Sequence, residues 1–129
     1  MDHDFLILIV RICLSAVFLY SGIDKLVCWD NGLRFCIRHR MPQPKVVLAA
    51  TAVVHIAGAL MVLLGVMARS GAVLLLLFTI IATWWVHNPT GLKDEDFRRE
   101  LMTSLEHLAI VGGLLLIAVT GPGALVLGP

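Results

Sequence analysis

Four apolar runs follow one another along the chain, separated by polar connections. They cover about residues 5–23, 46–67, 71–86 and 101–120. A run of about 20 apolar residues is long enough to cross the hydrocarbon core of a bilayer as a helix. The pattern therefore predicts an all-α membrane protein: a four-transmembrane-helix antiparallel bundle that forms a single domain over residues 1–129.

Ionisable side chains interrupt these runs or stand at their ends. Arginine, histidine or glutamate is rare inside a transmembrane helix, and such a residue usually faces a partner, a cavity or a ligand. Histidine also titrates near neutral pH and can both donate and accept a hydrogen bond. These positions are the candidates for ligand binding or proton relay: Arg11, His55, Glu106, His107, His87 and Lys25.

The same positions fall on helical stripes, because residues three or four apart share one face of a helix. Each stripe mixes small, polar and apolar residues, as in helices that approach one another closely in a membrane. The stripes are Arg11, Ser15, Phe18, Gly22 and Lys25 in the first run; Thr51, His55, Gly58, Val62, Gly65 and Arg69 in the second; Thr79, Thr83 and His87 in the third; and Glu106, Ile110, Gly113, Ile117 and Thr120 in the fourth. We expect them to meet inside the bundle.

The first connection, from Cys28 to Lys45, predicts a short interfacial helix. Apolar residues recur there at helical spacing, namely Leu33, Cys36, Ile37 and Met41. Three arginines and a nearby tryptophan suit the headgroup region of a membrane: Arg34, Arg38, Arg40 and Trp29. Two prolines then end this helix and place the start of the second span at about Val46.

Basic residues indicate the orientation in the membrane. Eight of them lie in the first and third connections: Lys25, Arg34, Arg38, Arg40, Lys45, Lys93, Arg98 and Arg99. The opposite side, with both termini and the short middle turn, carries only Arg69. The positive-inside rule therefore places the first and third connections in the cytoplasm and both termini outside the cell membrane.

Composition excludes several other classes of protein. The chain is 59% hydrophobic, has a mean hydropathy of +0.92 and a net charge of +1, so it offers no basic face for nucleic acid. The first run lacks a basic leader and a cleavage pattern, which favours a retained helix over a signal peptide. Three cysteines form no metal or disulfide framework, although Cys28 and Cys36 share one connection and could form a local redox pair.

Two interpretations of the ionisable residues stay open. In the structural one, Arg11 and Glu106 bind backbone carbonyls, hydroxyls or each other and set helix packing. In the functional one, histidines and a carboxylate move protons or bind a polar headgroup such as a quinone carbonyl. His55 and His107 could meet and hold a haem or a metal, but any two histidines in a bundle could do so, and we predict no metal site, no intrinsic cofactor and no catalytic residue.

The chain resembles the DoxX family of small four-helix membrane proteins, including its DoxD-related members. The matching pieces are Arg11 followed by Phe18–Leu26, Pro42–Pro44, Gly58–Gly65 with Arg69 and Ala72, the aromatic end of the third run closing on His87, and Gly112–Gly113 with Gly121–Gly123. The resemblance implies a bacterial-type inner-membrane protein. Some relatives are similar to membrane subunits of sulfur-linked, quinone-reducing oxidoreductases or of a redox-stress complex. Members of the family often carry a glutamate where this chain has His55.

Three functions follow as expectations. The first is a membrane subunit whose polar stripes bind a quinone or relay protons to the redox centre of a partner protein. The second is a non-catalytic scaffold in the lipid bilayer, with the arginine helix of the first connection as its docking surface. The third is a binding protein or carrier for a lipid or small solute, which would need a homo-oligomer because four helices enclose little volume.

Overall fold

The computed structural model describes residues 2–128, and within them all regular structure is helical. The helices are α1 (His3–Val27), α2 (Trp29–Arg38), α3 (Pro44–Leu64), α4 (Ala68–Val86) and α5 (Asp94–Thr120). Four of them, α1, α3, α4 and α5, are long and apolar enough to cross a membrane. This confirms the predicted all-α fold with four transmembrane helices.

Local sequence explains where the helices begin. The carboxylate of Asp2 accepts a hydrogen bond from the backbone N–H of Asp4 and caps the start of α1. Pro44 occupies the first turn of α3, where its missing N–H costs no helical hydrogen bond. Three acidic residues, Asp94, Glu95 and Asp96, form the first turn of α5, where the positive end of the helix dipole favours them. The charged segment before the fourth apolar run is therefore helical from Asp94 onwards.

Two helix ends differ from the sequence-based expectation. The first helix continues through Val27 rather than ending near residues 21–23, since no helix-breaking residue follows Gly22. The turn between the second and third spans lies at residues 65–67 rather than 68–70. Gly65 and Met67 adopt left-handed backbone conformations there, with φ of 75° and 50°. Gly65 ends α3 at this point because glycine adopts that conformation without steric cost.

The four long helices form an antiparallel bundle in the order α1, α3, α4, α5. Helix α1 packs along α3, α3 along α4, and α4 along α5, while α5 meets α1 more lightly. Glycines allow two of these approaches: a Cβ on Gly22 would lie 3.2 Å from the carbonyl oxygen of Ala52, and one on Gly71 would lie 3.1 Å from that of Gly58. The core between the helices consists of Phe18, Ala59, Val62, Ala72, Leu75, Leu114 and Ile117.

The two ends of this bundle differ, and we name them by what they carry. The terminal end holds the start of α1, the α3–α4 turn and the chain after Thr120; the loop end holds α2 and the α4–α5 connection. The predicted short helix of the first connection is present as α2, and its location at a membrane interface stays a prediction.

Helix α2 packs on the bundle through a narrow face. Cys36 is buried, and Gly32 lies against Leu48 of α3. Ile37, which we expected on the same apolar side, is 59% exposed, because the contact with α3 covers only the Gly32–Cys36 edge of the helix. Trp29 is half-buried, and the three arginines, Arg34, Arg38 and Arg40, are exposed. Arg40 lies beyond the helix, in the turn that leads to α3.

Candidate functional site

Arg11 is the most deeply buried charged residue of the described chain, with 1% of its surface exposed. Its guanidinium donates four hydrogen bonds to backbone carbonyls. Nε reaches Val62 at 2.9 Å and Nη2 reaches Leu63 at 2.6 Å, both in the last turn of α3. Nη1 reaches Pro122 at 3.1 Å and Leu125 at 2.7 Å, beyond the end of α5. Arg11 therefore neutralises the carbonyl end of α3 and ties it to the C-terminal segment.

The C-terminal segment, residues 121–128, is held against the terminal end by further backbone contacts. The N–H of Leu127 donates to the carbonyl of Leu64 at 2.9 Å. The carboxylate of Asp4 accepts a 3.0 Å hydrogen bond from the N–H of Ala124. Together with Arg11, the N–H of Leu127 supplies partners for carbonyls that α3 leaves free at its end, while the Asp4 contact joins the segment to the start of α1. The surroundings of Arg11 thus match the structural interpretation of that residue.

A cavity of about 430 Å³ lies in the other half of the bundle, near the loop end. All five helices and the connection between α2 and α3 contribute to its walls, which are mainly apolar. The polar side chains among its lining residues are Ser21, Lys25, Thr51, His55, Thr79, His87 and His107. Four of the six sequence-predicted candidates therefore share one cavity: Lys25, His55, His87 and His107. A mainly apolar pocket with a few convergent polar groups is the usual form of a small-molecule site.

His55 is a buried residue of the cavity wall, in the middle of α3. It is 7% exposed and packs edge-on against two aromatic rings, with ring centroids 5.3 Å from Phe18 and 4.8 Å from Phe78. Within the described residues its Nδ1 is buried and has no hydrogen-bond partner. A buried polar atom without a partner is costly, and the cost is removed when a ligand or water supplies one.

Three polar side chains on α1 and α3 line the part of the cavity near His55 and the loop end. On α1, Lys25 Nζ donates a 2.7 Å hydrogen bond to Ser21 Oγ, one turn earlier. On α3, Thr51 Oγ1 donates to the carbonyl of Val47 at 2.8 Å. Because Ser21, Lys25 and Thr51 all line the cavity, its loop-end half carries both hydroxyl and ammonium groups.

Hydrogen bonds and one ring contact connect the end of α4 with α5 beside the cavity. His87 Nδ1 pairs with Glu100 Oε2 at 2.9 Å, and the two side chains are about one-quarter exposed. The rings of His87 and His107 lie nearly perpendicular, with centroids 5.1 Å apart. His107 Nδ1 lies 2.7 Å from Thr83 Oγ1, which donates its own proton to the carbonyl of Thr79. Thr83 therefore accepts from His107, which leaves Nε2 of the neutral imidazole free to accept.

Glu106 does not join this group: it is exposed and lines no part of the cavity. The inward line of α5 runs through His107, Ile110, Leu114 and Ile117, and Glu106 lies to one side of it. The carboxylate that meets a histidine is Glu100, which lies in the charged segment just before the fourth apolar run. Its spacing to Ser104 and His107 was a usable signal, because these positions share one helix face.

The remaining candidates form no recognised centre in residues 2–128. No group of three histidine, cysteine or acidic side chains has an arrangement that could hold a metal ion. Cys28 and Cys36 are free thiols, the first half-buried and the second buried. Burial raises the pKa of the Cys36 thiol, and the nearby positive charge of Lys25 partly offsets that effect.

Known proteins are similar to this chain over most of its length. A model of the DoxX family matches residues 6–88, which include Arg11, Lys25, His55 and His87. Inner membrane protein YphA of Escherichia coli K12 is 26% identical over 120 residues, which are 93% of this chain and 86% of YphA. Inner membrane protein YqjF of the same strain is 27% identical over 124 residues, 95% of this chain and 88% of YqjF. No solved structure matches.

Proposed function

This chain belongs to the DoxX family and is an integral inner-membrane protein with four spans. From that premise we propose that it binds the headgroup of a membrane quinone in the cavity around His55. In this proposal it serves a redox partner protein as a membrane subunit. The quinone is the group that carries electrons, and the chain supplies the site.

The observation that carries the proposal is the buried, unpartnered Nδ1 of His55 beside a mainly apolar cavity. A quinone has an apolar ring and carbonyl oxygens that accept hydrogen bonds. An imidazole N–H can donate to such an oxygen, and the aromatic side chains of Phe18 and Phe78 fix the imidazole ring from two sides. The volume of about 430 Å³ lies in the range of small-molecule pockets, roughly 300–1,000 Å³.

The loop end would face the cytoplasm and the redox partner. We base this orientation on the positive-inside rule, since the basic side chains concentrate at that end. The three exposed arginines of the α2 region, Arg34, Arg38 and Arg40, are available there for an acidic protein surface or for anionic lipid headgroups.

A binding experiment with purified protein in nanodiscs tests the proposal. The probe is a short-chain ubiquinone analogue, with His55→Phe as the main variant, because phenylalanine keeps the aromatic packing and removes the ring nitrogens. We expect a loss of affinity of about tenfold or more, as for a buried hydrogen bond left unmade. His55→Gln, which can still donate, should bind better than His55→Phe.

His3→Phe is the matched control, since His3 is exposed at the terminal end and far from the cavity along α1. Its affinity should equal that of the wild type. Absence of quinone binding by the wild type, or equal binding by His55→Phe, would refute the proposal.

A non-catalytic scaffold is the second candidate, and one observation favours it. Arg11 has four carbonyl partners and does not line the cavity, which supports a structural role for this intramembrane charge. A scaffold would retain its partner in His55→Phe and lose it when Arg34 and Arg38 are changed to glutamine. Co-purification of the partner with each variant separates the two candidates.

A lipid or small solute found in the cavity by native mass spectrometry would instead identify the protein as a binding protein for that molecule.

A further inference from the structure

We infer that the loop-end half of the cavity is a subsite for a negative charge on the ligand headgroup, held by the ammonium group of Lys25. This inference rests on the proposed binding site around His55. It specifies the class of ligand that the site would bind, namely a molecule with an acidic headgroup that is bound in its ionised form.

The first support is the placement of Lys25 on the inward face of α1. Phe18, Gly22 and Lys25 follow one another along that face at spacings of four and three residues. Phe18 and Gly22 are buried against α3 and its neighbours. Lys25 is the next member of the same line, half-buried at the cavity wall.

The second support is the unused hydrogen-bonding capacity of this ammonium group. An ammonium carries three donors, and within the described residues one of them reaches a partner, Ser21 Oγ at 2.7 Å. The ion pairs formed by residues 2–128 join His87 to Glu100 and Arg99 to Asp96, and neither includes Lys25. Lys25 thus has donors free for a ligand.

The third support is the position of Lys25 relative to His55. A Cβ on Gly22 would lie 3.2 Å from Cβ of His55, so α1 and α3 touch at this level. Lys25 lies one turn closer to the loop end than Gly22, and Thr51 lies one turn closer than His55. A headgroup bound at His55 would therefore have the hydroxyl of Thr51 and the ammonium of Lys25 on its loop-end side.

The ionisable side chains that line the cavity are bases, and Lys25 is the one among them that does not need a histidine proton to be charged. The ionisable lining residues are Lys25, His55, His87 and His107, and no aspartate or glutamate is among the lining residues. The neighbouring acidic residues are paired or exposed: Glu100 pairs with His87, and Asp24 and Glu106 are exposed beside Lys25 and His107 in sequence. Asp24 lies outside the wall and offsets part of the charge of Lys25. Within a low-dielectric wall, a cation whose neighbouring carboxylate is exposed to solvent favours the ionised form of a bound acid over its neutral form.

A pair of quinones that differ in charge tests the inference. A 2-hydroxy-3-alkyl-1,4-naphthoquinone is an acid, and its 2-methoxy ether is a neutral molecule of similar shape. We would measure the affinity of both for the purified protein in phosphatidylcholine nanodiscs, where the lipid carries no net charge. The visible absorption of the hydroxyquinone also reports whether the bound molecule is ionised.

For the wild type we expect the hydroxyquinone to bind about tenfold or more tightly than its ether, since a charge-assisted hydrogen bond contributes about that factor. Lys25→Met should remove this preference, so that the two quinones bind with similar affinities. Lys25→Arg, which conserves the positive charge, should keep the preference. Binding by this variant also shows that substitution at position 25 leaves the protein folded. Lys45→Met is the matched control, because Lys45 is exposed at the same end of the bundle.

The outcomes are distinguishable from failure of the proposed function. If the wild type binds neither quinone, the quinone site itself is refuted, and with it the inference. If both quinones bind equally to the wild type, or if Lys25→Met keeps the preference, the charge subsite is refuted while the quinone site stands. Displacement of the hydroxyquinone by added phosphatidylglycerol would retain the subsite and identify a lipid headgroup as its competing anion.

Discussion

Arg11 and Leu125 are joined by a 2.7 Å hydrogen bond from Nη1 to the backbone carbonyl, although 114 positions separate them in the chain. The same guanidinium also holds Val62 of α3. The side chain of Arg11 in α1 thus connects the end of α3 to the segment that follows α5. These contacts explain how a nearly inaccessible arginine is accommodated within an apolar helix. Two of its hydrogen bonds go to carbonyls that the end of α3 leaves free, and two go to carbonyls of the segment after α5.

Replacement of Arg11 should destabilise the protein more than replacement of any exposed arginine. Arg11→Met leaves several buried carbonyls without a donor, and we expect a loss of about 3 kcal/mol in the free energy of unfolding. The measurement is reversible unfolding in mixed micelles with increasing SDS. Arg69→Met is the control: Arg69 is exposed and makes one long contact, 3.4 Å to the carbonyl of Thr120, so it should cost less than about 1 kcal/mol. Equal stability of the two variants would contradict the structural role.

Gly65 should tolerate no side chain. Its φ is 75°, and an added Cβ would lie 2.3 Å from Val126 Cγ1 and 3.0 Å from Arg11 Nη2. Gly65→Ala should therefore lower the unfolding free energy by about 2 kcal/mol or more, from backbone strain and from displacement of the C-terminal segment.

Gly112 provides the opposite case within α5, since a Cβ there meets nothing within 4 Å. Gly112→Ala should leave stability unchanged or raise it by up to about 1 kcal/mol through helix propensity. Unfolding curves for the two alanine variants under the same conditions check both expectations. A Gly65→Ala protein as stable as Gly112→Ala would show that the turn is built differently.

The thiol of Cys36 should react slowly with aqueous reagents at neutral pH. Burial raises its pKa, so at pH 7.5 a smaller fraction is thiolate than for an ordinary cysteine, and the thiolate is the reactive form. Reactivity should then rise as the pH increases through the elevated pKa. Lys25→Met should slow the reaction further, because the lysine charge counteracts the effect of burial.

Maleimide labelling of two single-cysteine proteins measures this difference. One retains Cys36 and the other retains Cys28, with the remaining cysteines changed to serine. Cys36 should be labelled more slowly in the folded protein, and both rates should become similar after unfolding in SDS. Faster labelling of Cys36 than of Cys28 at pH 7.5 would be incompatible with its burial.

The orientation of the bundle can be checked with fusion reporters. If the loop end faces the cytoplasm, alkaline phosphatase fused after residue 128 should be active, and a fluorescent protein at the same place should be dark. Insertion of the phosphatase in the α4–α5 connection, between residues 88 and 92, should give an inactive fusion. The reverse pattern would place the arginines of α2 outside and remove the basis for a cytoplasmic partner at that end.

Features of the fold that depend on nearby residues could be predicted from the sequence, whereas features that depend on packing could not. Hydropathy over about 20 residues is a local property, so the four spans were predicted from the chain alone. The inward face of α1 was also predictable, because Arg11, Ser15, Phe18 and Gly22 are all buried at helical spacing. Helix ends were less accessible, since the end of α3 depends on the backbone conformation of Gly65 and on what packs against it.

For the candidate residues, too, the sequence predicted the helix face of some and the partner residues of none. Sequence spacing grouped Arg11 with Lys25, and Glu106 with the inward stripe of the last helix. In the structure Arg11 lies with the terminal carbonyls, Lys25 lies in the cavity, and Glu106 is exposed. The partner of His87 was missed because Glu100 stands in a charged segment that is typical of a solvated helix start.

The sequence by itself determined which segments become helices, which face of each helix carries polar groups, and which end of the bundle is basic, because these properties depend on residues within a few turns of one another. Only the tertiary structure decided what those polar groups meet. Arg11 finds its carbonyls 51 to 114 positions away, and His55 shares a cavity with residues from all five helices. Such contacts depend on the rotation and depth at which whole helices pack, and no local pattern encodes them.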